Sequence, residues 1–211
     1  MIFDHFLLLY DDRKILKSIL AAISLIGILT TVIISQSSFV DAAISCSRDC
    51  TPPTLGVTDN GRRVIENGFM INDKSFNVES HSQSIPTQVF KTGDKVTIKL
   101  TGYENSGISN MRHVTLAITD YNNKHDYHDK AKISIDHSFD GAVTRNVADA
   151  TGLLDKVNVK AQRIDSFTGT LTISFVVAKP LNTSSITVHM WDAGLSTNTN
   201  IFEDAIQVVG K

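Results

Sequence analysis

Histidine is the residue type in this sequence that could most readily carry chemistry. The chain has seven histidines, and imidazole nitrogens suit copper and zinc. The five that could act as metal ligands are His113, His125, His128, His137 and His189. His125 and His128 lie in the polar stretch Tyr121–Lys130 together with two Asp residues. This composition predicts either a loop that holds a transition metal or an ordinary solvated hairpin loop.

His113, His137 and His189 fall in three different predicted strands. Pairing of those strands could bring the three imidazoles together into a copper or zinc site. The alternative is that they are unrelated polar positions on the surface of a sheet. A type 1 copper centre is not expected, because it needs a Cys ligand near its later His ligand and both cysteines here lie far towards the N-terminus.

A second group of metal-compatible residues lies at Asp136, Ser138 and Asp140. Their oxygens occupy every second position and are followed by Gly141, as in the first half of a calcium loop. The Glu that such a loop places six residues after its Gly is replaced by Val147. Since Asp-Gly is also a common tight-turn pair, both interpretations stay open. We expect no cofactor unless one of these groups binds copper, zinc or calcium.

No motif in the sequence points to catalysis. It has no glycine-rich phosphate loop, no His-Glu-x-x-His and no Gly-x-Ser-x-Gly. Four Glu and one Trp are a thin basis for a glycosidase with a carboxylate pair and stacking platforms. We therefore expect a protein that is not an enzyme, with Trp191 as an aromatic plug at the edge of the core. Asn182 begins a glycosylation triplet that we expect in a hairpin loop.

The elements that must position these residues are predicted to be β-strands. Apolar residues recur at every second position beyond Gly56, for example at Val96, Ile98 and Leu100. The same alternation appears in about nine segments, which turn signals separate. We predict an all-β fold, an antiparallel β-sandwich of immunoglobulin-like or cupredoxin-like type, preceded by one N-terminal hydrophobic helix. The sandwich is expected to span residues 64–211.

Residues 1–42 differ in composition from the rest of the chain. The eighteen positions from Ser18 to Ser35 carry no charge, which is about the length that crosses a hydrocarbon core of roughly 30 Å as a helix. Arg13, Lys14 and Lys17 precede this run, so the remainder is predicted to be exported. Both a retained signal anchor and a cleaved signal peptide remain open. The domain then faces outward at the cell membrane, or is secreted if residues 1–42 are cleaved.

Residues 43–63 are predicted to form a neck between the apolar segment and the domain. It contains Cys46 and Cys50, which are expected to form a disulfide outside the cell. Such a bridge closes a small ring and constrains little of the chain. A lipid attachment at Cys46 or a metal or redox role for the pair is the alternative.

The charge balance excludes one large class of partner. The chain has 20 Lys and Arg against 22 Asp and Glu, for a formal net charge of -2. A dedicated nucleic-acid-binding protein would need a basic surplus. We therefore expect the membrane and an unknown protein or surface partner, and no nucleic acid.

The stretch Cys50-Thr-Pro-Pro-Thr-Leu-Gly56 is the specific part of a similarity that continues at Glu66–Phe69 and at Trp191-Asp192 and covers most of the domain. Through these residues the chain resembles a family of exported proteins of ammonia-oxidising archaea. The resemblance implies an envelope location and a β-rich domain, and it carries over no catalytic residue.

The expected function is that of an envelope-exposed, membrane-anchored β-sandwich that binds a partner or has a structural role, without catalytic activity. The alternative is an extracytoplasmic copper- or zinc-binding protein that uses the histidines named above.

Overall fold

The regular structure of the described residues consists almost entirely of β-strands. The computed structural model describes residues 51–59, 62–64, 67–122, 126–137 and 143–211, and for residues 57–59, 62–64, 121–122, 126–127, 137 and 143 it describes the backbone alone. In these ranges one short 3-10 turn, Ile108–Asn110, is the only helical element. The predicted all-β class is therefore confirmed.

The described residues form fifteen strands, more than the nine or so that the alternation suggested, because several are only two to four residues long. In chain order they are β1 (Thr54–Leu55), β2 (Val57–Asp59), β3 (Arg62–Val64), β4 (Phe69–Ile71), β5 (Lys74–Phe76), β6 (Ser82–Ser84), β7 (Gln88–Lys91), β8 (Lys95–Tyr103), β9 (Met111–Asn122), β10 (Asp126–His137), β11 (Val143–Ala148), β12 (Leu154–Arg163), β13 (Thr168–Val177), β14 (Leu181–Asp192) and β15 (Thr197–Val209).

Two large sheets contain most of these strands. The first sheet has the order β12-β13-β8-β4-β5, with β1 paired to β8. The second has the order β11-β10-β9-β14-β15-β6, with β7 also paired to β15. Strands β2 and β3 form a separate two-stranded ribbon. The central strands of both large sheets are thus joined in antiparallel fashion to their neighbours, as the sequence pattern predicts.

The two sheets pack face to face around one apolar core. Phe69 of the first sheet stacks on Phe202 of the second, with ring centroids 3.8 Å apart and planes at 6°. Both side chains are fully buried. The alternating residues of β8, β9, β13 and β14 that were predicted to face inward are all buried in this core. Period-two burial therefore produces a two-layer sandwich.

The prediction of a purely antiparallel sandwich is wrong at one edge of the second sheet. Strands β6 and β7 both run parallel to β15, with Ser82 opposite Ile201 and Phe90 opposite Val208. Pro86 lies between them and has no backbone N–H to give to a ladder, which is consistent with two short strands rather than one. The sheet is therefore mixed.

Two asparagines interrupt the apolar pattern on the inward side of β15. Asn198 and Asn200 are 4% and 0% exposed. The Asn198 side chain donates to the Pro53 carbonyl at 2.9 Å, and that of Asn200 donates to the Ser80 carbonyl at 3.3 Å. Through these buried amides β15 holds two distant segments, the one just before β1 and the one between β5 and β6.

The predicted hydrophobic helix in residues 1–42, and Cys46 and Cys50 of the neck, lie outside the described residues. Within the described ranges, no helix has the length and apolarity to cross a bilayer.

Candidate functional site

The outer face of the second sheet carries His113 and His189 together with the sole tryptophan, Trp191. Alternation places Val114 and Met190 in the core, so His113 and Trp191, their neighbours in β9 and β14, lie on the solvent side. We call this surface the binding face. It consists of two rows of residues that run across the strands. One row is Asp136, His113 and Trp191, and the next is Ser134, Thr115, His189 and Thr199.

His113 and Trp191 form a stacked pair in the first row. Their ring centroids are 3.4 Å apart and their planes meet at 7°. His189 approaches the same indole with a centroid distance of 5.5 Å and a tilt of 58°. His113 is 7% exposed although it lies outside the core, because the indole covers it. The three rings form a rigid, partly exposed platform.

Hydrogen bonds at both nitrogens fix the imidazole of His113. Its Nδ1 lies 2.7 Å from Asp136 Oδ1, and its Nε2 lies 2.8 Å from Thr115 Oγ1. Because a carboxylate only accepts, Nδ1 carries the proton, and a neutral ring then accepts from the Thr115 hydroxyl. Thr115 Oγ1 is in turn 3.3 Å from Ser134 Oγ. Four side chains on two strands are thus linked into one chain of hydrogen bonds.

The order hydroxyl, imidazole, carboxylate is also the order found in acyl-transfer triads. A triad needs in addition free N–H donors for the oxyanion. Thr115 lies in the middle of β9, which is paired on one side with β10 and on the other with β14. The backbone N–H groups around Thr115 therefore take part in the hydrogen bonds of the sheet. The hydrogen-bond chain therefore fits the positioning of the stacked rings better than the activation of Thr115 as a nucleophile.

A groove runs along the same face beside the platform. It has a volume of about 470 Å³, and it is lined by His81, Ser82, Thr119, Asp129, Thr187, His189, Thr199 and Ile201. Thr199 joins two of its walls: its hydroxyl is 2.7 Å from His189 Nδ1, and its carbonyl is 3.2 Å from His81 Nδ1. Residues that carry hydroxyls and imidazoles therefore line an open depression next to the aromatic rings, and most of its exposed surface is apolar.

The surroundings of His189 change the titration of its imidazole. Partial burial, with a further contribution from the nearby His113, holds the pKa of His189 below its ordinary value of 6.5. Both causes disfavour a positive charge. The platform is thus set to carry a neutral His189 at neutral pH.

The structure brings only part of the predicted metal site together. His113 and His189 share the binding face, while the backbone of His137 ends β10 and its side chain is not described. His128 is exposed in β10, opposite Asp120, and His125 lies outside the described residues. Most residues of the stretch predicted as a loop belong to strands, because β9 extends to Asn122 and β10 begins at Asp126.

No group of three or more His, Cys, Asp or Glu in the described part of the chain is arranged to hold a metal ion. His113 already has Asp136 and Thr115 on its two nitrogens. The histidine set thus remains a prediction without a shared centre among the residues the structure describes.

Of the three predicted calcium ligands, the structure describes one, Asp136. Asp136 lies on β10 and binds His113, while Ser138 and Asp140 lie outside the described residues. Asn182 is exposed, but the prediction that it sits in a hairpin loop is wrong. β14 begins at Leu181, directly after Pro180, so Asn182 belongs to the start of a strand with an irregular register against β15.

Three carboxylates among the described residues accept hydrogen bonds that hold two turns and one strand pair. Buried Asp192 accepts from the Ser196 amide at 2.8 Å, and Glu104 accepts from the Ser106 hydroxyl at 2.8 Å. Glu203 accepts from Ser82 at 2.6 Å. These bonds are structural, and they give the carboxylates a role other than that of a glycosidase pair.

Sequence reasoning misjudged two residues of this face. Trp191 was expected to plug the edge of the core, but it points outward, because Met190 takes the inward position in β14. His81 was not singled out, since it precedes the short strand β6, whose pairing with β15 has no local signal. The alternation of His189 with Trp191 could have placed both on one face, but not the stack with His113.

Comparison with known proteins finds similarity among solved structures. No family model matches the chain, and no curated protein matches it. A solved structure from work on multimeric cell-adhesive interactions of VGSC beta subunits is similar over 63% of this chain and 96% of that chain, with 15% identity and a TM-score of 0.41. The fold described above rests on this chain's own strand pairing.

Proposed function

We propose that this protein is a non-catalytic binding module that recognises a protein or surface partner through the binding face. The observation that carries the proposal is the stack of His113 and Trp191, whose planes are 7° apart and whose imidazole is fixed by Asp136 and Thr115. This aromatic pair lies on the solvent side of the sheet and does not help to fill the shared core. Aromatic rings that are held in place at a surface are typical anchors for contact with another molecule.

The surroundings of the stack are suited to recognition rather than to chemistry. Thr115, Ser134 and Thr199 surround the rings with hydroxyls that both donate and accept. Aromatic anchors enclosed by a polar rim are typical of interface centres. The adjoining groove would receive a side chain or a sugar of the partner.

Membrane anchoring is the second part of the proposal. Its support is the uncharged run from Ser18 to Ser35 and the basic residues before it. In this proposal the sandwich faces outward at the cell membrane, or is secreted if residues 1–42 are removed. The resemblance at Cys50–Gly56 supports a place among the exported β-rich proteins of ammonia-oxidising archaea, and the two-sheet architecture fits an immunoglobulin-like or cupredoxin-like sandwich.

The proposal is tested by capture from an envelope extract with the full-length protein as bait. The comparison uses wild type, Trp191→Ala, the conservative Trp191→Phe, and the matched control Lys99→Ala on the outer face of the first sheet. Quantitative mass spectrometry should find one partner that wild type and Lys99→Ala retain, that Trp191→Ala loses and that Trp191→Phe partly recovers. Equal retention by all four variants would remove the binding face from the proposal.

Two further measurements decide between this function and its alternatives. Stoichiometric copper or zinc in the purified protein, lost on His189→Ala, would favour the metal-binding function instead. Turnover of an activated ester that disappears in His113→Ala would show that the hydroxyl, imidazole and carboxylate chain is catalytic.

A further inference from the structure

Three large apolar side chains are exposed at one end of the sandwich. Leu195 is 75% exposed, Ile164 is 57% exposed and Phe167 is 47% exposed. Ile164 and Phe167 lie in the loop between β12 and β13, and Leu195 lies in the loop between β14 and β15. We call these three residues the apolar tip.

Strand pairing shows that both loops are at the same end. Thr168, which follows the first loop, is opposite Tyr103 at the end of β8. Asp192, which precedes the second loop, is opposite Met111 at the start of β9. A short connection joins Tyr103 to Met111, and within it Ile108 donates to the Ser166 carbonyl while Asn110 accepts from the Ala193 amide. The connection therefore touches both loops.

The N-terminal part of the chain joins the sandwich at this end as well. Thr54 of β1 is opposite Tyr103, and the Pro53 carbonyl accepts from Asn198, the second residue of β15. Whatever precedes Thr51 must therefore connect to the domain beside the apolar tip. The opposite end carries the other terminus of β15, at Val209.

Both loops hold their apolar residues in fixed positions. Asp165 Oδ1 accepts from the amides of Phe167 at 2.7 Å and Thr168 at 2.8 Å, and these bonds hold the pKa of the Asp165 carboxyl below its ordinary value. Leu195 has a φ of 65°, a left-handed conformation that branched apolar residues rarely adopt. The Leu195 amide donates to the Asp192 carbonyl at 3.1 Å. The loop thus keeps an exposed Leu where Gly or Asn would fit more easily.

We infer that the apolar tip rests in the surface of a lipid bilayer, so that the sandwich stands on its end with the binding face directed sideways. The inference rests on the membrane anchoring proposed above. Apolar side chains at loop tips gain by burial at the boundary between headgroups and acyl chains. The uncharged run ends at Ser35, and the 15 residues from 36 to 50 separate it from Thr51.

The length of that connection explains why a second contact is useful. Fifteen extended residues reach about 50 Å at most. A single tether of this length keeps the domain near the bilayer but does not set its orientation. Contact of the tip with lipid would fix the orientation, at the end where the connection attaches.

Quenching by brominated lipids tests the inference in the full-length chain. Trp191 is the only tryptophan, so a Trp191→Phe background permits one reporter at a time: Leu195→Trp, Phe167→Trp, or the control Val89→Trp. Val89 is 58% exposed and lies opposite Gln207, towards the other end of β15. Each variant is reconstituted into phosphatidylcholine vesicles with brominated acyl chains. We expect severalfold stronger quenching at positions 195 and 167 than at position 89.

Each outcome has a definite meaning. Equal quenching at the three positions, or none at 195 and 167 in protein that stays on the vesicles through an alkaline wash, overturns the docking inference and leaves the anchoring intact. Protein that does not float with the vesicles overturns the anchoring and the docking together. If Leu195→Trp loses its β-type circular dichroism, Phe167→Trp carries the test, since Phe167 and Trp are both aromatic and the site is already exposed.

Discussion

The two outer faces of the sandwich are built on the same plan and differ in what they display. On the first sheet, Lys160, Thr172 and Lys99 form a row across β12, β13 and β8. On the second sheet, the corresponding kind of row contains Asp136, His113 and Trp191. Both rows are backed by apolar residues of the shared core.

Strand formation and solubility explain the row on the first sheet, but they do not explain the row on the second sheet. On a solvent-facing sheet, Thr favours strand formation and Lys favours solubility. A stacked indole and imidazole with a fixed tautomer go beyond both requirements. Since the faces share one core, substitutions on them can be compared without a change of scaffold.

Trp191→Ala should have the largest effect of any change on either outer face. It removes the stack with His113 and the tilted contact with His189. Because the indole is only partly buried, we expect a loss of about 2 kcal/mol in the free energy of unfolding, less than for a core Trp. Urea denaturation followed by circular dichroism measures it, and Lys99→Ala should change stability by less than about 0.5 kcal/mol. Similar losses for the two variants would mean that the faces do not differ.

His113→Ala should have the next largest effect. It removes one ring of the stack and both hydrogen bonds of the imidazole, to Asp136 and Thr115. We expect a loss of about 1–2 kcal/mol in the free energy of unfolding, measured in the same urea series. Thr172→Ala is the control on the opposite face, and a loss there as large as that of His113→Ala would contradict the special role of the first row.

The pair of His113 and Asp136 should contribute less than its short distance suggests. The two atoms are 2.7 Å apart, but the Asp136 side chain is 70% exposed, so water and salt screen the interaction. A double-mutant cycle with His113→Ala and Asp136→Ala should give a coupling energy below about 1 kcal/mol. Coupling well above that value, and unchanged in high salt, would show a more enclosed network than the structure contains.

The smallest expected effect is a pH dependence of the unfolding free energy that originates at His189 in the second sheet. Since burial and His113 lower the pKa of His189, the unfolded chain binds more protons than the folded one just below pH 6.5. This contribution to stability is fully present above the unfolded value and is lost as the pH falls towards the folded one. Thermal melts from about pH 7.5 to about pH 5 should fall less steeply for His189→Gln than for wild type. An unchanged slope would remove His189 as the cause.

The sequence was sufficient to predict what depends on neighbours along the chain. Period-two alternation identified the inward residues of the long strands, such as Ile173 and Phe175 in β13. The same rule puts His189 and Trp191 on one side of β14. Such statements need only the geometry of an extended backbone.

The rest depends on register, which no local pattern contains. The stack of His113 on Trp191 requires that β9 and β14 pair with these residues opposite each other. The buried amides of Asn198 and Asn200 contradict the apolar alternation and become intelligible only with their carbonyl partners in distant segments. The parallel addition of β6 to β15 likewise has no sequence signal.

The parallel edge of the second sheet has a consequence for how the molecule acquires its structure. Ser82 and Glu203, which bond at 2.6 Å, are separated by 121 residues. Contacts between such remote segments give a high contact order and slow folding, because a long loop must close before the pairing is rewarded. A chain exported N-terminus first, as proposed, would therefore release β6 and β7 long before β15, and these two strands would stay open to wrong pairing until β15 reaches them.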